Sequence, residues 1–335
     1  MGKRWQIALG LVISVLFVWF AFRGLELGAV WVYLRTADYW WILPGVVVYF
    51  GAVWARTWRW HFLLRAAKVV PLRRLFPVVC IGYFGNNVYP ARIGELLRAF
   101  VLRETEDISV GTSLATILLE RVFDGLVMLL FVFVALPFVG FEQIPAIYRV
   151  TVVGASFLFL AALLVFLWMA LDPSRVSRIY RYFSTRLVPD RFRARIDAFF
   201  DRFLSGLAFL RSGRDLAMVF LSSVAIWLTE TLKYWFVMHA FPSISVSFIG
   251  LMLMNGVVNL TTTLPSAPGY VGTFEVGARV LEALNVDYAL AFGYTIVLHA
   301  ALWLPITLVG AYFMWRLGVK WGSDQRARPA ADEPA

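Results

Sequence analysis

The 335 residues are 61% hydrophobic and only 16% charged, which excludes an ordinary water-soluble protein and indicates several membrane-spanning helices. The formal net charge of +10 does not indicate nucleic-acid binding, because the arginines concentrate between the apolar runs. There they keep loops in the cytoplasm and meet anionic headgroups. The single cysteine, Cys80, excludes an intrachain disulfide. The three histidines are scattered and show no metal-ligand spacing.

Six apolar runs approach or exceed the roughly 20 residues that cross a bilayer. They cover about residues 5–22, 40–58, 110–136, 150–171, 215–240 and 288–315. The first run follows a basic start and lacks a small-residue cleavage site, so we interpret it as a retained anchor helix. Two shorter runs, about 75–90 and 248–264, lead into polar sequences that a lipid-facing helix would not contain.

The first polar sequence spans residues 86–98 and reads NNVYPARIGELLR. Pro90 is expected to end a helix and leave carbonyl groups free, whereas Gly94 permits close approach of two backbone segments. Arg92 and Arg98 offer planar donor groups suited to a phosphate. Glu95 stands three residues before Arg98, so the two could simply neutralise each other.

The run 110–136 carries Glu120, Arg121 and Asp124 near its centre. If these three side chains faced lipid, their insertion into the membrane would cost roughly 8–10 kcal/mol. Insertion of their apolar neighbours would contribute about 5–9 kcal/mol in the opposite direction. The three charged side chains must therefore pair or face a polar interior. Glu120 and Asp124 share a helix face and Arg121 does not, so we expect Arg121 to pair with Glu95 or Glu275 from another element. The alternative is a structural ion pair that fixes helix register.

Residues 172–214 form a basic segment that we place in the cytoplasm. Within it, residues 191–210 predict an amphipathic helix, with Asp197 among the polar residues that face away from the apolar side. Such a helix usually lies flat among headgroups, and delivery of an anionic headgroup is the alternative. In the next run, Glu230 and Lys233 are spaced for a pair within one helix.

The second polar sequence spans residues 259–275 and reads NLTTTLPSAPGYVGTFE. A helix that begins after Gly272 would present free N–H groups to an anion. Glu275 is either a first-turn carboxylate or a contact for substrate or a proton, and Arg279 one turn later is an alternative partner for it. The residues expected to shape the two broken segments are Asn86, Pro90, Gly94, Asn259 and Pro268.

The Lys/Arg bias places both termini in the cytoplasm. The connection after the second run is counted there because of Arg56, Arg59, Arg65, Lys68, Arg73 and Arg74. These charges are satisfied if 75–103 and 248–286 are re-entrant hairpins from the cytoplasmic and outer sides, although tilted helices giving up to ten crossings would also fit. The fold class is thus all-α: a polytopic α-helical membrane bundle of about six full spans plus two re-entrant or broken helical hairpins of opposite orientation.

We divide the chain into one integral membrane domain, residues 1–320, and a disordered cytoplasmic tail, residues 321–335. No phosphate-binding loop, serine elbow or dinucleotide fingerprint is present. We therefore expect no catalytic residue, no metal and no cofactor.

Three motifs carry a family resemblance: residues 91–98, 119–124 and 268–275. In order and spacing they resemble the membrane domain of bacterial lysylphosphatidylglycerol synthases, whose stand-alone relatives are called flippase-like. The resemblance maps the family motifs onto Arg92, Gly94, Glu95, Glu120, Arg121, Pro268, Gly269, Gly272 and Glu275. Tyr270 replaces a usual glycine, which puts the backbone or pocket shape there in question. The chain ends without an aminoacyl-transfer domain, so we do not expect lysine transfer by this polypeptide alone.

The resemblance implies a translocase in the bacterial cytoplasmic membrane for an anionic phospholipid or a polyprenyl- or lipid-linked sugar. Together with the residue patterns above, we expect the substrate-binding residues to be Arg92, Glu95, Arg98, Glu120, Arg121, Asp124, Gly269, Gly272 and Glu275. Membrane lipids are the expected partners and nucleic acid is not. The alternatives are a membrane-embedded transferase or hydrolase acting on a lipid phosphate, and a non-catalytic scaffold for an envelope-synthesis enzyme.

Overall fold

The computed structural model describes residues 27–89, 93–139, 146–261 and 273–318. The regular elements in these ranges are twelve α-helices and two short 3-10 segments. The helices are α1 Leu27–Thr36, α2 Ile42–Leu64, α3 Leu72–Val88, α4 Gly94–Glu106, α5 Val110–Val139, α6 Ala146–Leu171, α7 Pro173–Leu187, α8 Asp190–Gly206, α9 Gly213–Met238, α10 Phe248–Thr261, α11 Thr273–Ala283 and α12 Tyr288–Arg316. The 3-10 segments are Tyr39–Trp41 and Ala208–Arg211.

Four helices of the described part are long and apolar enough to cross a membrane: α5, the Val152–Leu171 part of α6, α9 and α12. The apolar runs 110–136, 150–171, 215–240 and 288–315 are thus confirmed as helices. The run 40–58 is part of the longer helix α2. The run 5–22, the tail 321–335 and the tips of both polar sequences lie outside the described residues.

Helices α2 to α5 and α9 to α12 follow the same order of long, short, short and long elements. Their lengths are 23, 17, 13 and 30 residues in the first set and 26, 14, 11 and 29 in the second. Their contacts also correspond: α2 packs on α9, α3 on α12 and α10 on α5. This pseudo-repeat resembles the internally repeated architecture of many transporters.

The short helices α3 and α4 pack against each other through glycines. A Cβ built on Gly94 would lie 1.9 Å from the carbonyl oxygen of Gly82, and one on Gly85 would lie 2.6 Å from the Gly94 Cα. The close approach predicted at Gly94 is confirmed, because only glycine admits backbones at this separation. In the second set, α10 is buried along most of its length and packs on α11.

The amphipathic segment forms helix α8, followed by the 3-10 segment Ala208–Arg211. Helix α8 crosses the start of α5, where the Thr112 hydroxyl donates to the Arg202 carbonyl oxygen at 3.3 Å. Asp197, predicted to face away from the apolar side of this helix, contacts α7 through polar groups. Its carboxylate accepts hydrogen bonds from the Tyr180 hydroxyl at 2.8 Å and the Ser184 hydroxyl at 2.9 Å, so it joins α8 to α7.

Candidate functional site: a charged cavity within the helical bundle

A cavity of about 430 Å³ lies among the helices of the two sets. Its wall includes residues of α2 to α5, α9, α10 and α12, with Leu158 and Phe159 contributed by α6. Both short-helix pairs reach it, since Asn86 comes from α3 and Asn259 from α10. The two polar sequences therefore share one cavity through their described parts.

Asp124 on α5 is the most heavily engaged carboxylate in the wall. Arg59 Nη1 donates to Asp124 Oδ1 at 2.7 Å, and Arg59 Nη2 donates to Oδ2 at 3.3 Å. The Trp227 indole N–H donates to Oδ1 at 2.9 Å, while Arg56 and Arg121 place guanidinium nitrogens 3.5 and 3.4 Å from Oδ2. Side chains from α2, α5 and α9 thus converge on one buried carboxylate, as a buried charge requires.

Glu120, one turn earlier on α5, pairs with Arg98 and shares Arg59 with Asp124. Arg98 Nη2 donates to Glu120 Oε2 at 3.1 Å, and Arg59 Nε lies 3.6 Å from Oε1. The Arg98 guanidinium also lies over the Trp60 ring, 4.0 Å from its centroid. Arg98 is therefore held by α5 and α2, and the predicted neutralisation of Arg98 by Glu95 is not the arrangement formed.

Glu95 instead pairs with Arg121, whose Nε lies 3.6 Å from Glu95 Oε1. This confirms the predicted pairing of Arg121 with a carboxylate from another element. The pair is the most accessible in the cavity wall, with side chains 35% and 21% exposed for Arg121 and Glu95. It lies beside the buried network, because Arg121 also contacts Asp124.

On α9, Glu230 and Lys233 form the pair that their spacing predicts. The network extends beyond them, since Arg56 Nη2 lies 3.2 Å from Glu230 Oε1. The Lys233 ammonium also lies 4.6 Å from the centroid of the Tyr49 ring, which adds a cation–π contact. Arg56 connects this pair to Asp124.

Sequence reasoning missed the roles of Arg56 and Arg59. Both were counted as cytoplasmic loop residues, but the structure buries them on α2, with 7% and 1% of their surfaces exposed. Their spacing of three puts them on one helix face. The signal that could have found them is the set of carboxylates at 120, 124 and 230, which needed buried cations as partners.

Among the described residues of the wall, the charges do not balance. Five cations, Arg56, Arg59, Arg98, Arg121 and Lys233, face four carboxylates, Glu95, Glu120, Asp124 and Glu230, which leaves an excess of one positive charge. The Nε–H groups of Arg56 and Arg98 are buried without a hydrogen-bond partner in the described part of the chain. The cavity can therefore accept one further anionic oxygen group.

Glu275 is not part of the described cavity wall. Its carboxylate accepts hydrogen bonds from Arg279 Nε at 2.9 Å and from the Tyr288 hydroxyl at 2.5 Å. The alternative pairing of Glu275 with Arg279 is thus confirmed, and Glu275 is engaged away from the network. Five of the predicted binding and structural residues fall outside the described ranges: Pro90, Arg92, Pro268, Gly269 and Gly272.

The arrangement favours exchange of ion-pair partners over acid–base catalysis. Each of the four carboxylates in the wall already lies within ion-pairing distance of at least one cation. Within the described ranges, no group of three or more His, Cys, Asp and Glu side chains could hold a metal ion. The arrangement is suited to recognition of an anion by charged hydrogen-bond donors in a low-dielectric environment.

Comparison of the sequence with known proteins identifies the family of the chain. The sequence profile described as the lysylphosphatidylglycerol synthase TM region matches residues 7–310. A UPF0104 membrane protein of Methanothermobacter thermautotrophicus is 26% identical over 294 residues, which are 83% of this chain and 83% of that relative. UPF0104 membrane protein MJ1595 of Methanocaldococcus jannaschii is 25% identical over 268 residues, 75% of this chain and 77% of the relative.

A third relative is named Glycosyltransferase AglD, from Haloferax volcanii. It is 27% identical over 263 residues, which cover 69% of this chain but 41% of that protein. The chain thus matches less than half of the glycosyltransferase. No solved structure matches the chain significantly. Since the family profile covers most of its length, the chain belongs to the family of the lysylphosphatidylglycerol synthase TM region.

Proposed function

We propose that this membrane protein is a flippase-like translocase, which moves an anionic phospholipid or a polyprenyl- or lipid-linked sugar between leaflets. The observation that carries the proposal is the cavity wall, where four carboxylates face five cations. A purely structural ion-pair network would be expected to balance its charges. An excess cation with orphan guanidinium N–H groups instead suits a phosphate group.

Arg98 and Arg121 are the proposed phosphate contacts. Arg121 is the more exposed of the two cations. Its nitrogens lie 3.6 Å from Glu95 Oε1 and 3.4 Å from Asp124 Oδ2, so both ion pairs are long. An arriving phosphate could displace Glu95 from Arg121 and then reach the orphan Nε–H of Arg98. When the headgroup leaves, Glu95 returns to Arg121. Such an exchange keeps Arg121 paired with an anion whether or not the headgroup is present, so its charge stays compensated at low dielectric.

The part of the site proposed to stay fixed consists of Arg56, Arg59 and Asp124, because their contacts are short and buried. Arg92 and the segment Gly269–Gly272 remain proposed phosphate contacts on the motif alone. Glu275 is not assigned to the headgroup, since Arg279 and Tyr288 occupy its oxygens. The name of the glycosyltransferase relative supports a lipid-linked sugar as one branch of the substrate class.

We also place the protein in the cytoplasmic membrane with both termini inside and the two short-helix pairs as re-entrant hairpins. The positive charge of residues 172–214 supports that orientation. The relatives named above come from archaea, so the proposal is not restricted to a bacterial inner membrane.

The test is reconstitution in liposomes with a panel of fluorescent lipids: phosphatidylglycerol, a polyprenyl phosphate, a polyprenyl-phosphate sugar and phosphatidylcholine. The expected result is faster redistribution of at least one anionic lipid than in protein-free vesicles. Arg121→Gln should reduce this rate about tenfold, and Glu282→Gln, an exposed carboxylate on α11, should leave it unchanged. No redistribution above the protein-free rate would reject translocation.

The same samples separate the other functions. A chemically altered lipid recovered from the vesicles would identify a membrane-embedded transferase or hydrolase. A partner envelope-synthesis enzyme that co-purifies with both the parent and Arg121→Gln, without any lipid movement, would identify a scaffold.

A further inference from the structure

We propose that the crevice between α5, α6 and α10 binds the hydrocarbon chain of the lipid whose headgroup enters the cavity, with Phe159 as its gate. This rests on the proposed function, since it assigns a path for the apolar part of the same substrate. The occupant is an acyl or isoprenoid chain that stays in the bilayer while the phosphate meets the arginines.

The cavity reaches the apolar surface of the bundle at Leu158. This side chain belongs to the cavity wall and is 60% exposed. Its neighbours Phe157 and Leu160 are also exposed, so the outer face of α6 here is apolar. On the inner side, Met128 and Val258 continue the apolar wall. Apolar side chains therefore line the route from the outer surface of α6 towards the charged interior.

Helix α6 is attached to the bundle along a narrow stripe in this region. Val152, Ala155 and Phe159 are buried there, and residues between them are exposed or half-buried. This stripe packs on α5 and α10. The far end of α6 is held differently, by the Arg211 Nε–H that donates to the Ala170 carbonyl oxygen at 2.7 Å. Opening of the crevice would separate the stretch beside the cavity from α5 while the other end stays anchored.

Phe159 closes the path at the point where it meets the charges. Its ring lies against the backbone of Gly125, where an added Cβ would come within 2.3 Å of a ring carbon. Gly125 directly follows Asp124, the centre of the ion network. The missing side chain at 125 thus lets an aromatic ring separate the buried charges from the apolar crevice. A shift of this ring would join the two compartments.

A lipid with a phosphate headgroup fits this combination of surfaces. Its headgroup needs cations, which Arg98 and Arg121 supply, and its chain must remain in apolar surroundings because transfer to water is unfavourable. A free phosphate or a water-soluble sugar phosphate would need the cations but not the crevice. The continuity of the two surfaces therefore selects a lipid over a soluble anion.

The test places the photoreactive amino acid p-benzoylphenylalanine at residue 158 in the full-length protein. The matched control is residue 164 on the same helix, because Leu164 is 58% exposed but does not belong to the described cavity wall. Each protein is reconstituted in phosphatidylcholine vesicles with a trace of radiolabelled phosphatidylglycerol or radiolabelled polyprenyl phosphate. Irradiation then records which lipid chain lies beside each position.

We expect at least a threefold enrichment of one labelled anionic lipid at residue 158 over residue 164. Adding Arg121→Gln should abolish the enrichment at 158 and leave residue 164 unchanged. Equal labelling at the two positions, or enrichment that persists in Arg121→Gln, would overturn the proposal. Crosslinking measures occupancy and does not depend on lipid movement. Translocation without enrichment at residue 158 would therefore reject the crevice alone. Enrichment without translocation would support the crevice and reject the translocase.

Discussion

Arg59 on α2 and Asp124 on α5 form the shortest ion pair of the cavity wall that lies between different helices, with Nη1 2.7 Å from Oδ1. Both side chains are almost fully buried, so neither charge can be compensated by solvent. Arg59 also donates to the Ser223 hydroxyl on α9 at 2.6 Å. One guanidinium therefore joins three helices, which makes the pair a structural determinant of the cavity as well as part of its charge.

Asp124→Asn should destabilise the protein by about 3–5 kcal/mol, because it leaves buried arginines without their carboxylate. Thermal unfolding in detergent measures the loss, with Glu282→Gln as the control. That exposed carboxylate should contribute less than about 1 kcal/mol. The double variant Arg59→Leu/Asp124→Leu should recover part of the loss, since an apolar pair removes both buried charges. Equal melting temperatures for Asp124→Asn and the parent would contradict the buried network.

Gly94→Ala should separate α3 from α4, because its Cβ would overlap the Gly82 carbonyl oxygen. Overpacking of this kind costs about 1–3 kcal/mol or more. Gly51→Ala is the matched control, since nothing lies within 4 Å of a Cβ there. In the middle of α2 this change should be neutral or slightly stabilising. Comparable losses in the two variants would show that the contact between Gly94 and Gly82 does not set the effect.

The amino-acid sequence was sufficient for the positions of the long helices, because each is a run of apolar residues near bilayer length. It was also sufficient for the carboxylates of α5, since charges at the centre of such a run must find partners. Gly94 followed from the same reasoning, as a glycine beside a helix break allows two backbones to meet.

Partner choice within the network could not be predicted in full. Glu95 and Arg98 stand close enough on α4 to pair, but the Trp60 ring and Glu120 approach Arg98 from other helices. Arg59 was misassigned because counting Lys and Arg treats every basic residue as a loop residue. Glu275 belongs to a motif with the cavity residues, yet Tyr288 and Arg279 lie nearer to it. Each of these outcomes depends on contacts between residues more than 20 positions apart in the sequence, or on competition between local partners.

Glu95→Gln should strengthen retention of an anionic lipid about three- to tenfold, because it removes the carboxylate that competes for Arg121. Mass spectrometry of lipids that co-purify with the protein measures retention. Glu275→Gln is the comparison, because that carboxylate is engaged outside the described cavity wall. If Glu275→Gln alters retention as much as Glu95→Gln does, the assignment of Glu95 as the exchanging partner is wrong.

The contact between α7 and α8 should weaken in acid. Hydrogen bonds from Tyr180 and Ser184 lower the pKa of the Asp197 carboxyl below its ordinary value. The carboxylate therefore stabilises the folded contact above about pH 4, and this contribution is lost as the pH falls through the lowered pKa. Hydrogen exchange of Asp190–Gly206 should be faster at pH 3 than at pH 6. Asp197→Asn should reduce that difference, whereas Asp201→Asn, at an exposed position of the same helix, should not.

Phe159→Ala should open the path between the crevice and the cavity, because it removes the ring that lies against Gly125. Lipid exchange at the site should become about three- to tenfold faster, measured as the rate at which unlabelled lipid displaces the labelled lipid that crosslinks to residue 158. Phe157→Ala is the matched control, since Phe157 lies two residues away and is 73% exposed. Gly125→Ala should act in the same direction as Phe159→Ala, because its Cβ forces the ring away from the backbone. If all three variants exchange lipid at the parent rate, the ring packs in the core without gating the cavity.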